Sequence, residues 1–356
     1  MHKRDARSLK PLFQIAAVLL ALGLTTVVLV ATKSPPLAAY ASIARGAVGT
    51  WSVASDVLVA WVPLLLVTSG LLVTFTVGLW NIGIEGQITF GAVFATWALR
   101  SFQGPVLAGS FDPAFAIALA TLAGMAGGML WAMLVGALKT FGGVNEIFGG
   151  LGLNYVATAV NLWLIFGPWK RPGVASMSGT VPFDRRLWMP TVTEQSRFAP
   201  IAVVVAVVAI AIVFALLRGT YFGLRLKAVG KNPKAAYLLG IPTWQYTMIS
   251  FAICGLFAGL AGAVQVTAVY HRLIPSISSG YGYMGLMVSM LVNYSAVLAA
   301  PIALFFAALN VGSIQLPITL KLDSSLAGVL QGTLVLFVLL AEGARSRFMK
   351  RMGSRR

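Results

Sequence analysis

The stretch GLRLKAVGKNPKAAYLLGI, residues 223–241, lies between two long apolar runs, yet four of its nineteen residues are basic and none is acidic. Its punctuation is that of a short helix. Asn232 suits an N-cap, Pro233 the first turn and Gly240 the position just past the end. The two turns between them offer Ala235, Ala236, Leu238 and Leu239. Such a helix is too short to cross a bilayer and too apolar to float free in water. Two readings follow: a docking surface of small and apolar residues for a partner protein, or a basic loop resting on anionic lipid.

Outward from this stretch the chain is oily. Of its 356 residues 58% are hydrophobic and 10% charged, and the mean hydropathy is +0.88. An average soluble domain has about 25% charged residues, and a soluble core of this length has no place for so much apolar surface. The composition is that of a polytopic membrane protein. The net charge of +17 does not indicate nucleic acid, because the basic residues sit in flanks and loops rather than on one soluble face. One cysteine, Cys254, excludes an intramolecular disulfide, and two histidines, His2 and His271, leave little for zinc or a catalytic triad. No GxxxxGK[ST] loop is present, so the chain does not bind ATP by that device and is not read as an enzyme.

Apolar runs of about twenty residues are expected to span. Ten segments qualify: 11–31, 57–79, 84–99, 113–138, 146–167, 200–217, 244–268, 281–295, 297–315 and 326–342. The first is preceded by a basic flank, as in a signal peptide, but its length favours a retained helix. The third and eighth are short and glycine-rich, and each is open to a full or a broken span. Basic residues mark the cytoplasmic side. They cluster in the N-terminal flank (Lys3, Arg4, Arg7, Lys10), in 218–243 (Arg218, Arg225, Lys227, Lys231, Lys234) and in the tail (Arg345, Arg347, Lys350, Arg351, Arg355, Arg356). Ten spans place all three inside. The loop 168–199 then falls outside despite five basic residues, partly offset by Asp184 and Glu194. The expectation is one transmembrane domain over 1–356, spanning within 11–342, with a cytoplasmic segment 218–243 and an outer loop 168–199. Glycines at 124–128, 255, 259 and 262 are expected to let helices approach closely.

The polar residues inside these spans are few. Glu85 stands between Gly83 and Gly86 in NIGIEGQ, residues 81–87, where an unwound turn would let Asn81, Glu85 and Gln87 aim at a polar solute. Equally, Glu85 would staple helices together, or serve a gate. Asn154 and Asn161, seven apart on the fifth span, share a face, with Tyr155 beside them; this stripe is read as a solute pathway. Gln265 is a further pathway candidate, with Gln315 and Gln331 weaker ones, while Glu146 is placed to meet Lys139. Trp80, Trp163 and Trp169 are expected to anchor the interface.

The opening stretch resembles the cytoplasmic loop of ABC importer permeases of the branched-chain amino acid, ribose and nucleoside family, where the loop also follows the sixth span. The matching residues are Gly223, Arg225, Ala228, Gly230, Asn232, Pro233, Ala235, Ala236, Gly240 and Ile241. NIGIEGQ, NEIFGGLGLNYVA (145–157) and GPWKRPG (167–173) are similar to the nucleoside branch, and the resemblance runs from about 57 to 341. One departure is the turn at Asn293, Tyr294 and Ser295, which lacks the family's arginine. The resemblance implies an all-α, ten-span type II importer permease of the cell membrane with both termini cytoplasmic. It implies a cytoplasmic ABC ATPase that holds ATP and Mg, a second related permease, and an outer binding protein or lipoprotein, with no cofactor in this chain. Nucleoside is the implied solute; ribose or another simple sugar is the alternative within the class. Outside it, a proton-coupled carrier using Glu85 or Glu146 remains open.

Overall fold

The computed structural model of the chain describes residues 19–31, 33–173, 178–192, 197–292 and 295–353, with side chains as far as 341. The basic N-terminal flank, Glu194, Asn293, Tyr294, Arg355, Arg356 and the side chains of Arg345, Arg347, Lys350 and Arg351 lie outside the described residues.

Every regular element among the described residues is a helix. In chain order they are α1 (Leu19–Ala31), α2 (Pro36–Val48), α3 (Trp51–Thr76), α4 (Ile84–Leu107), α5 (Pro113–Thr140), α6 (Glu146–Phe166), α7 (Pro200–Gly219), α8 (Tyr221–Lys231), α9 (Pro233–Leu238), α10 (Thr243–Val264), α11 (Tyr281–Leu291), α12 (Ala296–Gly312), α13 (Gln315–Leu320) and α14 (Leu326–Gly353). Local chemistry sets several starts. Asp112 accepts from the amides of Ala114 and Phe115 and Pro113 opens α5, while Asn145 accepts from Ile147 at the head of α6.

Among the described residues six helices are long and apolar enough to cross a membrane: α3, α5, α6, α7, α10 with its extension, and α12 through α13. A seventh arises if α1 and α2, bent by 113°, are taken as one span. The ten expected segments differ from this count for local reasons. α4 runs on to Leu107 rather than 99, which gives 24 residues or ~36 Å, but Glu85, Gln87 and Arg100 dilute its apolarity. α11 has 11 residues and reaches only ~16 Å, half a span. α2, between the first two expected segments, opens on Pro36 and carries Arg45 in its last turn.

The helices form two compact units, one of Met1–Val57 with Phe305–Arg356, the other of Leu58–Leu304. In the first, Leu29, Ala39, Ile43 and Leu316 make a small core. Ser42 Oγ and Thr319 Oγ1 meet at 2.6 Å, and Gln331 Nε2 donates to the Phe306 carbonyl at 3.2 Å.

In the second unit α4, α5 and α10 touch backbone to backbone. A Cβ on Gly259 would strike the Gly124 carbonyl, one on Gly128 the Gly255 carbonyl, and one on Gly262 the Ile88 carbonyl. The glycines singled out in the sequence thus sit where the helices pack. Past Val264, α10 widens into a π turn over Gln265–Tyr270 and ends at His271 in the left-handed region, φ 54°. Residues 271–280, the return segment, lead to Gly280, φ 74°, and to α11. The loop 168–199 is tied onto this turn by three backbone bonds, from the amides of Thr180, Phe183 and Met189 to the carbonyls of Leu273, His271 and Thr267, at 2.8–2.9 Å. Leu187, Phe183, Leu273 and Ile277 bury together there.

Candidate functional site

The polar residues expected along a pathway are nearly all buried, and most of their hydrogen-bonding capacity is spent within the protein. Asn81 and Gln87 pair their carboxamides head to head: Asn81 Nδ2 donates to Gln87 Oε1 at 3.1 Å and Gln87 Nε2 to Asn81 Oδ1 at 2.9 Å. Asn81 Nδ2 also lies 3.1 Å from Cys254 Sγ, level with the middle of α10. Asn154 bridges the start of α4 from α6: its Oδ1 accepts from Gly86 N at 2.8 Å and its Nδ2 donates to the Ile82 carbonyl at 2.9 Å.

Glu85 reaches across to a second helix. Its Oε1 accepts from Tyr283 N at 3.1 Å, and Ser278 and the Gly282 amide are also within its reach. α11 has no side-chain cap of its own at Gly280, so the carboxylate of α4 satisfies its free amides and faces the positive end of its dipole. Gly282 is needed there, since a Cβ would stand 2.9 Å from Glu85 Oε1. The staple reading of Glu85 is the one this geometry favours.

Two further carboxamides hold the return segment. Asn161 Nδ2 donates to the carbonyls of Ile274 and Pro275, each at 3.0 Å, and Gln265 Nε2 to the Ile277 carbonyl at 3.3 Å and Ser279 Oγ at 3.4 Å. Asn161 Oδ1 and Gln265 Oε1 are buried and have no partner among the described residues. These are the acceptors left over in the cluster.

Tyr155 does not join the buried group. It is 71% exposed, about 100° round α6 from the buried Asn154. Tyr283, 46% exposed, lies beside Asn154, Glu85 and Tyr155. Sequence reasoning missed Tyr283 and Ser278. The signal was the Gly-Tyr-Gly-Tyr run at 280–283, whose tyrosines mark the mouth of a half-helix rather than a span interior. Of the remaining candidates, Glu146 forms a 2.7 Å ion pair with Lys139, Gln331 and Gln315 belong to the other unit, and Trp163 is exposed along α6. Trp80 packs edge-on to Phe75, and Trp169 lies under Arg100.

The basic stretch folds as two helices rather than one. Thr220 caps α8 by accepting from Gly223 N at 3.0 Å, and a Cβ on Gly223 would collide with α7 backbone at Leu216. Gly230 rests against the Thr76 carbonyl at the end of α3, and Ala228 is half-buried beside it. Arg225 donates to Tyr246 Oη at 3.1 Å and lies over the Tyr221 ring. Asn232 ends α8 and caps α9, its Oδ1 accepting from Ala235 N at 3.1 Å, and Pro233 opens the helix. Gly240 follows it at φ 80°. Only Ala236 of α9 is buried; Ala235 is exposed, and so are Leu238 at 85% and Leu239 at 80%.

An all-helical membrane protein with a broken helix pair in its centre and a capped two-turn helix beside a basic arm has the parts of a transport permease. Residues 53–339 match the family described as branched-chain amino acid transport system / permease component, and the chain belongs to it. It is an ABC transporter permease, a multi-pass protein of the cell membrane. The glucose ABC transporter permease protein TsgB13 of Haloferax volcanii is 28% identical over 337 residues, 92% of this chain and 87% of that one. The guanosine ABC transporter permease protein NupP of Bacillus subtilis is 27% identical over 345 residues, 95% of this chain and 94% of its own. A second guanosine ABC transporter permease protein of that bacterium, NupQ, is 29% identical over 264 residues, 70% of this chain and 77% of its own.

Proposed function

We propose that the chain is the membrane subunit of a binding-protein-dependent ABC importer that carries nucleosides into the cell. The observation that carries the importer reading is α9. Two leucines more than three-quarters exposed, on a capped two-turn helix flanked by basic residues, need a protein partner to cover them. That partner is a cytoplasmic ATPase, which supplies the ATP and Mg site. α8 and α9 carry its motion to the spans, and Gly223, Arg225, Ala228, Gly230, Asn232, Pro233, Ala235, Ala236 and Gly240 shape the arm. The work is alternation of access by rigid-body movement rather than bond chemistry. α1, α3 to α7, α10, α11, α12 and α14 make ten passes with both termini inside, α11 as a short, broken one.

The nucleoside reading is supported by NIGIEGQ and GPWKRPG and by the names of NupP and NupQ. Exposed Tyr155 and Tyr283 offer flat rings to a base, with the Asn154 carboxamide beside them. Asn81, Glu85, Gln87, Asn161 and Gln265 act one layer behind, holding α11 and the return segment in place. That two such permeases of one bacterium both resemble this chain supports pairing with a second permease. An outer binding protein or lipoprotein would dock on the loop 168–199. The name and similarity of TsgB13 support a sugar as the second reading.

Uptake of labelled adenosine, uridine, ribose and glucose, with and without this gene and with partners intact, tests the solute. Gene-dependent nucleoside uptake that excess sugar does not block is expected; sugar uptake alone would overturn the nucleoside reading. Uptake that collapses with the proton gradient while ATP is held constant would instead support a proton-coupled carrier.

A further inference from the structure

A cavity of about 710 Å³ lies at the foot of the second unit, between the ends of α3 and α7, the length of α8 and the first residue of α12. Nothing in the transport reading uses it. Its walls divide by chemistry. Phe75, Phe214 and Leu224 supply apolar lining, and Arg218, Lys227 and Lys231 supply cations beside it. No acidic residue is among its described lining residues.

The cations are placed rather than scattered. Arg218 sits over the Phe214 ring, 5.1 Å from its centroid. Lys227 Nζ donates one of its three N–H bonds to the Leu217 carbonyl. Both stand at the point where the apolar run of α7 stops, because Leu217 is followed by Arg218 and Gly219. The cavity therefore lies where the apolar run of α7 ends, with apolar and cationic residues sharing its lining.

We propose that this cavity holds one anionic phospholipid of the cytoplasmic leaflet, its phosphate among Arg218, Lys227 and Lys231 and an acyl chain along Phe75, Phe214 and Leu224. A free phosphate would have no use for the apolar wall. A zwitterionic lipid would bring its own cation among three others, so the charge selects an acidic headgroup. Occupancy also bears on the arm. α8 forms one wall of the cavity, and its Gly230 rests on the last turn of α3. A lipid there braces the link between the spans and α9.

The test uses the assembled transporter, purified from nanodiscs of phosphatidylcholine with and without phosphatidylglycerol, and native mass spectrometry of the lipid retained. Phosphatidylglycerol is expected to stay with this subunit in preference to phosphatidylcholine, and Arg218→Gln with Lys231→Gln to lower its retention about tenfold. Leu224→Arg, at an exposed position, fills the apolar wall while leaving all three cations, and is expected to expel the lipid as well. Equal retention of both lipids, or retention unaffected by the double variant, would overturn the site. Retention unchanged by Leu224→Arg, or full displacement by inorganic phosphate, would show a simple anion patch and overturn the lipid assignment.

Discussion

Two stretches of this chain interrupt its spans, and they are built in opposite ways. The return segment, 271–280, is clamped from every side: by Asn161 and Gln265 through its carbonyls, by Glu85 at the helix it feeds, and by the outer loop along its backbone. The arm, 221–240, has its polar bonds within itself or to the neighbouring ends of α7 and α10, and it leaves leucines in the open. Buried backbone away from water must be paired, so the first stretch carries several internal partners. The second lies where water and a partner protein can satisfy it. One is set for stability and the other for contact.

The largest expected break in that contrast is Asn161→Leu. It removes the donor to two partly buried carbonyls and is expected to cost about 1–3 kcal/mol, read as a lower thermal midpoint of the purified permease. A midpoint unchanged would show that the return segment is not held by this clamp. Leu238→Arg should do the reverse. As a surface change it should move stability by no more than about 0.5 kcal/mol, while ATP-dependent uptake falls about tenfold or more through loss of a buried anchor. Normal uptake would remove α9 from the coupling role. Gly230 is a poorer probe of coupling than its sequence context suggested, because any side chain there meets the Thr76 carbonyl. Ala235, exposed at the start of α9, is the cleaner one.

Glu85→Gln keeps the acceptor for Tyr283 N and removes the charge facing the α11 dipole. The expected loss is about 0.3–1 kcal/mol, measurable as a small drop in midpoint; no drop would mean that the carboxyl acts there by hydrogen bonding alone. The smallest effect concerns His271, which stacks on Trp188 at 3.7 Å outside the spans. Burial, with Arg197 nearby, lowers its pKa to about 4. The folded loop thus binds the proton more weakly than an open one, whose histidine titrates near 6.5. Protection of 178–192 against hydrogen exchange should be full above pH ~6.5 and decline as pH falls towards 4. His271→Phe keeps the stack and should flatten that dependence; a decline of the same size in the variant would assign it to another group.

Much of the architecture was legible from residue order. The cap of α9 rests on neighbouring residues, so Asn232 and Pro233 announced it; the caps at Asp112 and Asn145 obey the same local rule but emerged from the structure. The glycines at 124, 128, 255, 259 and 262 were legible as packing because only backbone contact needs so many of them on facing helices. The candidate site was harder. The sequence marked Asn81, Glu85, Asn154, Asn161 and Gln265 as costly in a membrane, and all are buried. Their partners were not readable, since Ile82, Ile274, Pro275 and Ile277 offer only backbone carbonyls and Tyr283 its amide, which every residue type supplies alike. Tyr155 was grouped with Asn154 as its neighbour, although successive residues on a helix point about 100° apart.

Composition and spacing by themselves determined a helical membrane protein with a basic segment after its sixth apolar run, because hydropathy, capping and charge asymmetry are local quantities. Only the tertiary structure decided that the buried amides hold a broken helix, that Glu85 caps a helix nearly two hundred residues away in the chain, and that Arg218 of α7 and Lys227 and Lys231 of the arm line one cavity with Phe75 of α3. Those are contacts between distant segments, and they depend on how the spans pack rather than on what any one of them contains.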